Sequence, residues 1–237
     1  MRWGLPPDAA NSKHRLRCDP ARSSTIWARR APGFLRMRRT RSSPMATAAA
    51  DGIAAPGPTE DLDPERLIFI DETWAKTNMT RLRARVKGGA RACDGVPSGH
   101  WSTTTMIGSL RLDGQTACMT MPGATDRESF VEYVRRVLAP TLRPGDVVIM
   151  DNLSSHKSPQ VRRLIQQREA SLVYLPPYSP DLNPIEKMWF KVKEFLRVAK
   201  ARTQQALFSA TAAAPKIVTP EEATGWFTSC GYIPSYT

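Results

Sequence analysis

Two apolar runs in this chain each end in an aspartate. Leu67-Ile68-Phe69-Ile70 leads into Asp71, and Val147-Val148-Ile149-Met150 leads into Asp151. Unbroken apolar runs of this kind read as buried strands. A carboxylate that directly follows such a strand is held at the edge of the sheet. A third acid, Glu186, opens an apolar-periodic segment in Asn183-Pro184-Ile185-Glu186. If the two strands are parallel neighbours, both aspartates emerge at one edge, and a helix packed there can place Glu186 beside them. Two strand-end carboxylates and one helical carboxylate suit a divalent metal and phosphodiester chemistry.

The segments around these acids alternate in type. Residues 66–71 read as a buried strand, and residues 80–87 show a loose alternation that predicts a second one. Residues 100–112 are rich in Thr, Ile and Trp and end at Asp113-Gly114, a hairpin signal. Residues 115–121 form the predicted return strand. A helix follows, with Thr125 and Glu128 as its capping box and Phe130, Val131, Val134, Val137 and Leu138 as its apolar stripe. Pro144-Gly145-Asp146 turns the chain into the strand 147–150. Ser158-Pro159 starts a helix with Val161, Leu164 and Ile165 facing inward. Residues 172–175 are a short strand, stopped by Pro176-Pro177. Asn183-Pro184 caps a last strong helix carrying Ile185, Met188, Trp189, Val192, Phe195 and Leu196. This order predicts an α/β protein with a mixed sheet covered by helices.

Length and charge set the frame. The chain has 237 residues and a net charge of +12, enough for one domain with a core plus appendages. Residues 1–44 hold 11 Lys/Arg and 2 Asp/Glu, so most of the positive charge lies there. Pro, Ala, Arg and Ser dominate residues 1–64 without a persistent period, which predicts a disordered basic tail. Such a tail is either a solvated arm or a contact for nucleic acid. The predicted organisation is therefore a tail over 1–64, a folded domain over 65–200 and a helical extension over 201–237. The four cysteines form no metal-type spacing, which points to reduced thiols in a cytosolic compartment. No apolar run approaches the ~20 residues a membrane span requires.

Each acid also has a structural reading. A strand-end Asp is often a turn residue or a cap, and Asp151-Asn152 is a plausible turn start. Glu186 sits at the third position behind Asn183, where a capping-box Glu belongs, and the helix dipole favours an acid there. Cap and metal ligand compete for the same oxygens. Other chemistries fare worse: His14, His100 and His156 are too dispersed for zinc, and a serine nucleophile lacks its elbow motif.

Three blocks then resemble a known family. Phe69-Ile70-Asp71-Glu72-Thr73, Val148-Ile149-Met150-Asp151-Asn152 and the run Leu175-Pro176-Pro177-Tyr178-Ser179-Pro180-Asp181-Leu182-Asn183-Pro184-Ile185-Glu186 are similar to the catalytic blocks of DDE transposases. They resemble the bacterial insertion-sequence branch of the mariner-related superfamily, over about residues 62–233. The resemblance implies an RNase H-like five-stranded sheet flanked by helices. It also implies Mg²⁺- or Mn²⁺-dependent cutting at transposon ends, with two ions, followed by attack of the freed 3′-hydroxyl on target DNA. On this reading Asp71, Asp151 and Glu186 are the metal ligands. Asn152, His156, Tyr178 and Asn183 are candidates for supporting those ligands or facing DNA. The implied partners are double-stranded DNA and a second copy of the chain, in a bacterial cytoplasm at the nucleoid.

One departure stands out. Relatives of this kind carry helix-turn-helix domains ahead of the catalytic domain, and residues 1–64 show no pair of capped amphipathic helices. A separately encoded helix-turn-helix half would make good that lack. Lys76, Arg81, Arg83, Arg85, Lys87 and Arg91 are candidates for nonspecific phosphate contacts. The alternatives are a stand-alone RNase H-like nuclease and an inactive DNA-binding remnant.

Overall fold

The computed structural model describes residues 62–81, 83–84, 86, 88, 94–95, 97–152, 156–177 and 179–233. The expected tail over 1–64 lies almost wholly outside the described residues, as does Tyr178. Five strands form one mixed sheet in the order β3-β2-β1-β4-β5. They are β1 (Leu67–Lys76), β2 (Thr103–Arg111), β3 (Thr116–Pro122), β4 (Val147–Met150) and β5 (Ser171–Tyr174). β1 pairs antiparallel with β2 and parallel with β4, and β4 pairs parallel with β5. Both apolar runs that end in aspartate are therefore central and adjacent, which is why neither alternates with polar residues.

Helices cover both faces. On one side lie α1 (Arg127–Tyr133), continued by a π-helical turn over Val134–Leu138, and α2 (Pro159–Gln166). They bury Phe130, Val134, Leu138, Val161 and Ile165 against Ile68, Ile70, Val148 and Met150. On the other side lies α3 (Ile185–Ala199), followed by α4 (Gln204–Ala213) and α5 (Pro220–Ser229). The α3 stripe of Ile185, Met188, Trp189, Val192 and Leu196 repeats every three or four residues and packs against Leu67, Phe69, Met106 and Ile149. Each such buried side chain contributes roughly 2 kcal/mol. α5 and Tyr232 join the same core, with Phe227 meeting Phe69 edge-on at 5.2 Å between ring centroids.

Three local expectations need correction. β1 runs on to Lys76, and the described residues of 80–87 form no strand. Asp126, not Thr125, caps α1: its carboxylate accepts from the Ser129 N–H at 2.8 Å, while the Thr125 hydroxyl has no hydrogen-bond partner. Asp outcompetes Thr here because its charged oxygen also meets the helix dipole. Finally, Pro184 occupies the cap position of α3, so no side chain caps that helix and the expected Asn183–Glu186 capping box does not form.

α3 is seated by one close approach. The Trp189 indole lies over Gly108 of β2, where a Cβ would meet the ring at 2.8 Å and Cys118 Sγ at 2.7 Å. Gly108 is the register partner of Asp71. Adding a methyl group must lift the indole, and α3 with it. Gly108→Ala is therefore expected to cost about 1–3 kcal/mol, read as a lower midpoint in urea. Gly225→Ala, at a position where nothing lies within 4 Å, serves as the control.

Candidate active site

The last register pair between β1 and β4 is Phe69 with Ile149. Asp71 and Asp151 each lie two residues further on. They share the pleat side of Phe69 and Ile149, which is the side that α3 covers. Two strands thus deliver two carboxylates to one place by register alone. The chain after β5 runs through Pro176 and Pro177 and a 3₁₀ turn over Pro180–Leu182, then enters α3 with Glu186 in its first turn. The prolines restrict this backbone and aim the helix start at the strand ends.

The result is a cleft of about 390 Å³ lined by Asp71, Asp151, Asn152, Asn183 and Glu186, with Leu175, Pro176, Pro177, Ser179 and Pro180 completing its wall. Asp71 accepts a 2.7 Å hydrogen bond from the Glu72 N–H. Burial, followed by the charges of Glu186 and Asp151, pushes its pKa up to about 7 despite that bond. Asn183 is buried, and its Oδ1 has no hydrogen-bond partner.

His156 does not line the cleft. It is 1% exposed and lies behind Asp151, stacked on Phe130 with 4.3 Å between ring centroids. Its Nδ1 is 2.5 Å from Asp151 Oδ1, and its Nε2 is 3.3 Å from Glu72 Oε1. Burial opposes the imidazolium, but the bonds to the two carboxylates outweigh burial and lift the pKa to about 9. The ring is thus a buried cation between two acids, with both N–H groups donating. Glu72 is the participant the sequence reading passed over. The signal was the 71–72 pair itself, because alternation along a strand sends neighbouring acids to opposite faces.

The donors in the cleft are all oxygens. Among the described residues no three His, Cys, Asp or Glu side chains close into one coordination shell. The three carboxylates instead share the cleft and repel one another, as the raised pKa of Asp71 records. Hard oxygen donors with surplus negative charge and an orphaned amide oxygen fit a hard divalent cation rather than a zinc site.

A mixed sheet with helices on both faces and carboxylates at adjacent strand ends defines an RNase H-like fold. The chain has a TM-score of 0.51 and 16% identity to a chain in the crystal structure of the Mos1 strand transfer complex, covering 73% of this chain and 56% of that one. Residues 66–208, more than half of the chain, match the DDE superfamily endonuclease family, and the chain belongs to it. It is 30% identical over 100 residues to the Tcb1 transposable-element transposase of Caenorhabditis briggsae, covering 40% of this chain and 37% of that protein. It is 38% identical over 65 residues to the Tc1 transposase of Caenorhabditis elegans, covering 27% of this chain and 24% of that protein. The chain thus matches less than two fifths of the length of these curated relatives. No helix of the described residues is long and apolar enough to cross a membrane.

Two titrations follow. Asp71 has a folded pKa raised from 3.8 to about 7, so its ionised form opposes folding above about pH 7 and the opposition disappears below about pH 4. In chelator-treated protein, Asp71→Asn is expected to raise the melting temperature by a few degrees above pH 7 and to leave it unchanged near pH 4. His156 has a folded pKa raised from 6.5 to about 9, so its charge stabilises fully below pH 6.5 and that contribution is lost as pH rises through 9. His156→Gln is expected to cost roughly 2 kcal/mol at the acid end of that window and less above it, measured by urea unfolding.

Proposed function

We propose that this chain is the catalytic half of a transposase, performing divalent-metal-dependent DNA cleavage at transposon ends and strand transfer into target DNA. The observation that carries the reading is that Asp71, Asp151 and Glu186 share one cleft in a chain of the DDE endonuclease family. The Tc1 and Tcb1 relatives, transposases by name, support the reaction class. The proline-rich block from Leu175 to Glu186 supports the finer assignment to the bacterial insertion-sequence branch of the mariner-related superfamily, and with it a cytoplasmic, nucleoid-associated site of action.

In this reading Asp71, Asp151 and Glu186 would hold two Mg²⁺ or Mn²⁺ ions. When bound, such ions make the attacking water or 3′-hydroxyl more acidic and offset charge on the phosphodiester. The chain's own residues do the rest. The Glu72 N–H fixes one oxygen of Asp71. His156 holds Asp151 from behind through its Oδ1. The amides of Asn152 and Asn183 face the cleft and position a phosphate or a bound water. Tyr178 belongs to the same block and is assigned to the DNA side. Residues 65–200 act as the catalytic domain, with 201–237 as a helical extension and 1–64 as a basic tail. Double-stranded DNA is the substrate, a homodimer is the active assembly, and a helix-turn-helix half on another stretch of polypeptide reads the ends.

The test is cleavage and joining of DNA that carries the element's ends. Mg²⁺-dependent activity in the wild type is expected to fall by about three orders of magnitude in Asp151→Asn and in Glu186→Gln, as loss of several kcal/mol of charge stabilisation requires. Equal activity in wild type and Asp151→Asn would sink the assignment. Cutting of RNA–DNA hybrids without joining would favour a nuclease instead. A readout without turnover is the melting temperature: Mg²⁺ is expected to raise it for the wild type and not for Asp151→Asn.

A further inference from the structure

Two large aromatic rings stand open near the end of the strand that carries Asp71. Trp74 is 51% exposed and Trp101 is 52% exposed. Lys76 Nζ lies 4.7 Å from the Trp74 ring centroid and 5.6 Å from that of Trp101, and Lys193 Nζ lies 5.2 Å from Trp74. Among the described residues neither lysine pairs with a carboxylate.

The fold explains why this patch is exposed and why it is held in place. β1 leaves β4 after Phe69, so its last residues have β2 on one side and, among the described residues, no strand on the other. Trp74 sits three residues past Asp71 on that free stretch. Arg202 donates to the Thr77 and Met79 carbonyls, and Thr77 exchanges hydrogen bonds with Ser102, which fastens the turn after β1 to the segment bearing Trp101. From the other side, α3 carries Glu186, Phe190 and Lys193 on one face at spacings of four and three, and Phe190 is 68% exposed. One helix face thus runs from the cleft acid to the lysine over Trp74. Mutual packing of lysine stems and indoles would explain their contact. It does not explain two open indoles and two cations that, among the described residues, have no anionic partner, on the strand and the helix that carry Asp71 and Glu186.

We propose that Trp74, Trp101, Lys76 and Lys193 form a subsite that holds unpaired nucleotides of the DNA strand entering the cleft. The proposal deepens the reading of the cleft as a DNA-processing site. Ring faces are of use to a base only when that base is out of the stack, because paired bases cover one another's faces. The lysines supply compact charges for the flanking phosphates, and a chain carrying +12 overall adds favourable long-range attraction.

The experiment uses the full chain in an Asp151→Asn background, so that binding is read without turnover. Fluorescence anisotropy compares a labelled oligothymidylate with a blunt hairpin duplex. Trp74→Ala and Trp101→Ala are expected to weaken oligothymidylate binding about tenfold each and to leave the duplex within about twofold. Trp74→Phe is expected to restore most of the loss, which separates stacking from folding. Lys76→Gln and Lys193→Gln are expected to reduce the salt dependence of single-strand binding by about one phosphate each. Equal losses for single strand and duplex, or no loss for either, would overturn the subsite. If binding follows the tryptophans while the wild type neither cuts nor joins DNA, the transposase reading fails and the subsite stands. If the wild type cuts and joins but binding ignores the tryptophans, the subsite alone fails.

Discussion

The contact of Trp189 with Gly108 is the interaction on which the site depends. It brings helix α3 down onto the sheet directly beside Asp71, since Gly108 is the register partner of that residue. Glu186 lies three residues before Trp189, on the turn above it. Were β2 to carry a side chain at position 108, the helix would stand off and the third carboxylate would leave the cleft. Asp71 and Asp151 need no such device. Their placement follows from the parallel register of β1 and β4, set by apolar strands that are buried on both faces. The site thus combines two acids fixed by backbone pairing with one fixed by side-chain packing.

Charge makes this arrangement costly. Three carboxylates at one cleft, with Glu72 just behind, repel one another, and burial denies Asp71 the solvent that would screen it. Among the described residues the compensation lies on one side. His156, charged and buried against Phe130, neutralises the rear between Asp151 and Glu72. At the front, where Asp71, Glu186 and the unpartnered Asn183 oxygen line the cleft, no Lys, Arg or His among the described residues forms an ion pair with Asp71 or Glu186. That asymmetry is what a site for an external cation requires: a neutralised back that keeps the acids in place and an uncompensated front that attracts the ion.

Much of this was legible in the sequence. Apolar runs without alternation marked β1 and β4, Asp113-Gly114 marked the β2–β3 hairpin, and Ser158-Pro159 marked the start of α2, with the Ser158 hydroxyl accepting from the Gln160 N–H. The carboxylates could be placed because strand ends are positions that pairing registers fix. What was not legible depends on competition or on direction. Thr125 and Asp126 compete for the cap position of α1, and the stronger acceptor, Asp126, takes it through the Ser129 N–H. Asn183 reads as a cap until the proline behind it takes that position. His156 carries no sign in its neighbours that it turns inward, because its partner Glu72 is 84 residues away. Gly108 looks like an ordinary interruption of a strand until the indole above it is known.

The stretch of chain beyond the family match has its own part in this. The match ends at residue 208, yet later residues hold the approach to Glu186. The Tyr232 hydroxyl donates to the Leu182 carbonyl at 2.9 Å, in the turn that precedes α3. Lys187, next to Glu186, donates to the Ser229 hydroxyl, and Lys191 bridges to Glu222 and to the Ile217 carbonyl. Phe227 and Tyr232 in turn rest on Phe69, two residues before Asp71. The helix that carries the third acid is therefore clamped between the sheet below and the C-terminal segment above. An uncapped helix start needs such a clamp. Pro184 supplies no side-chain acceptor, so the first turn has only backbone carbonyls before it, those of Asn183 and Pro184, to take the Glu186 and Lys187 N–H groups. The geometry of the cleft is in this sense a property of residues up to Tyr232, and the lysines along α3 serve two ends: Lys187 and Lys191 face the clamp, while Lys193 faces the open side where Trp74 waits.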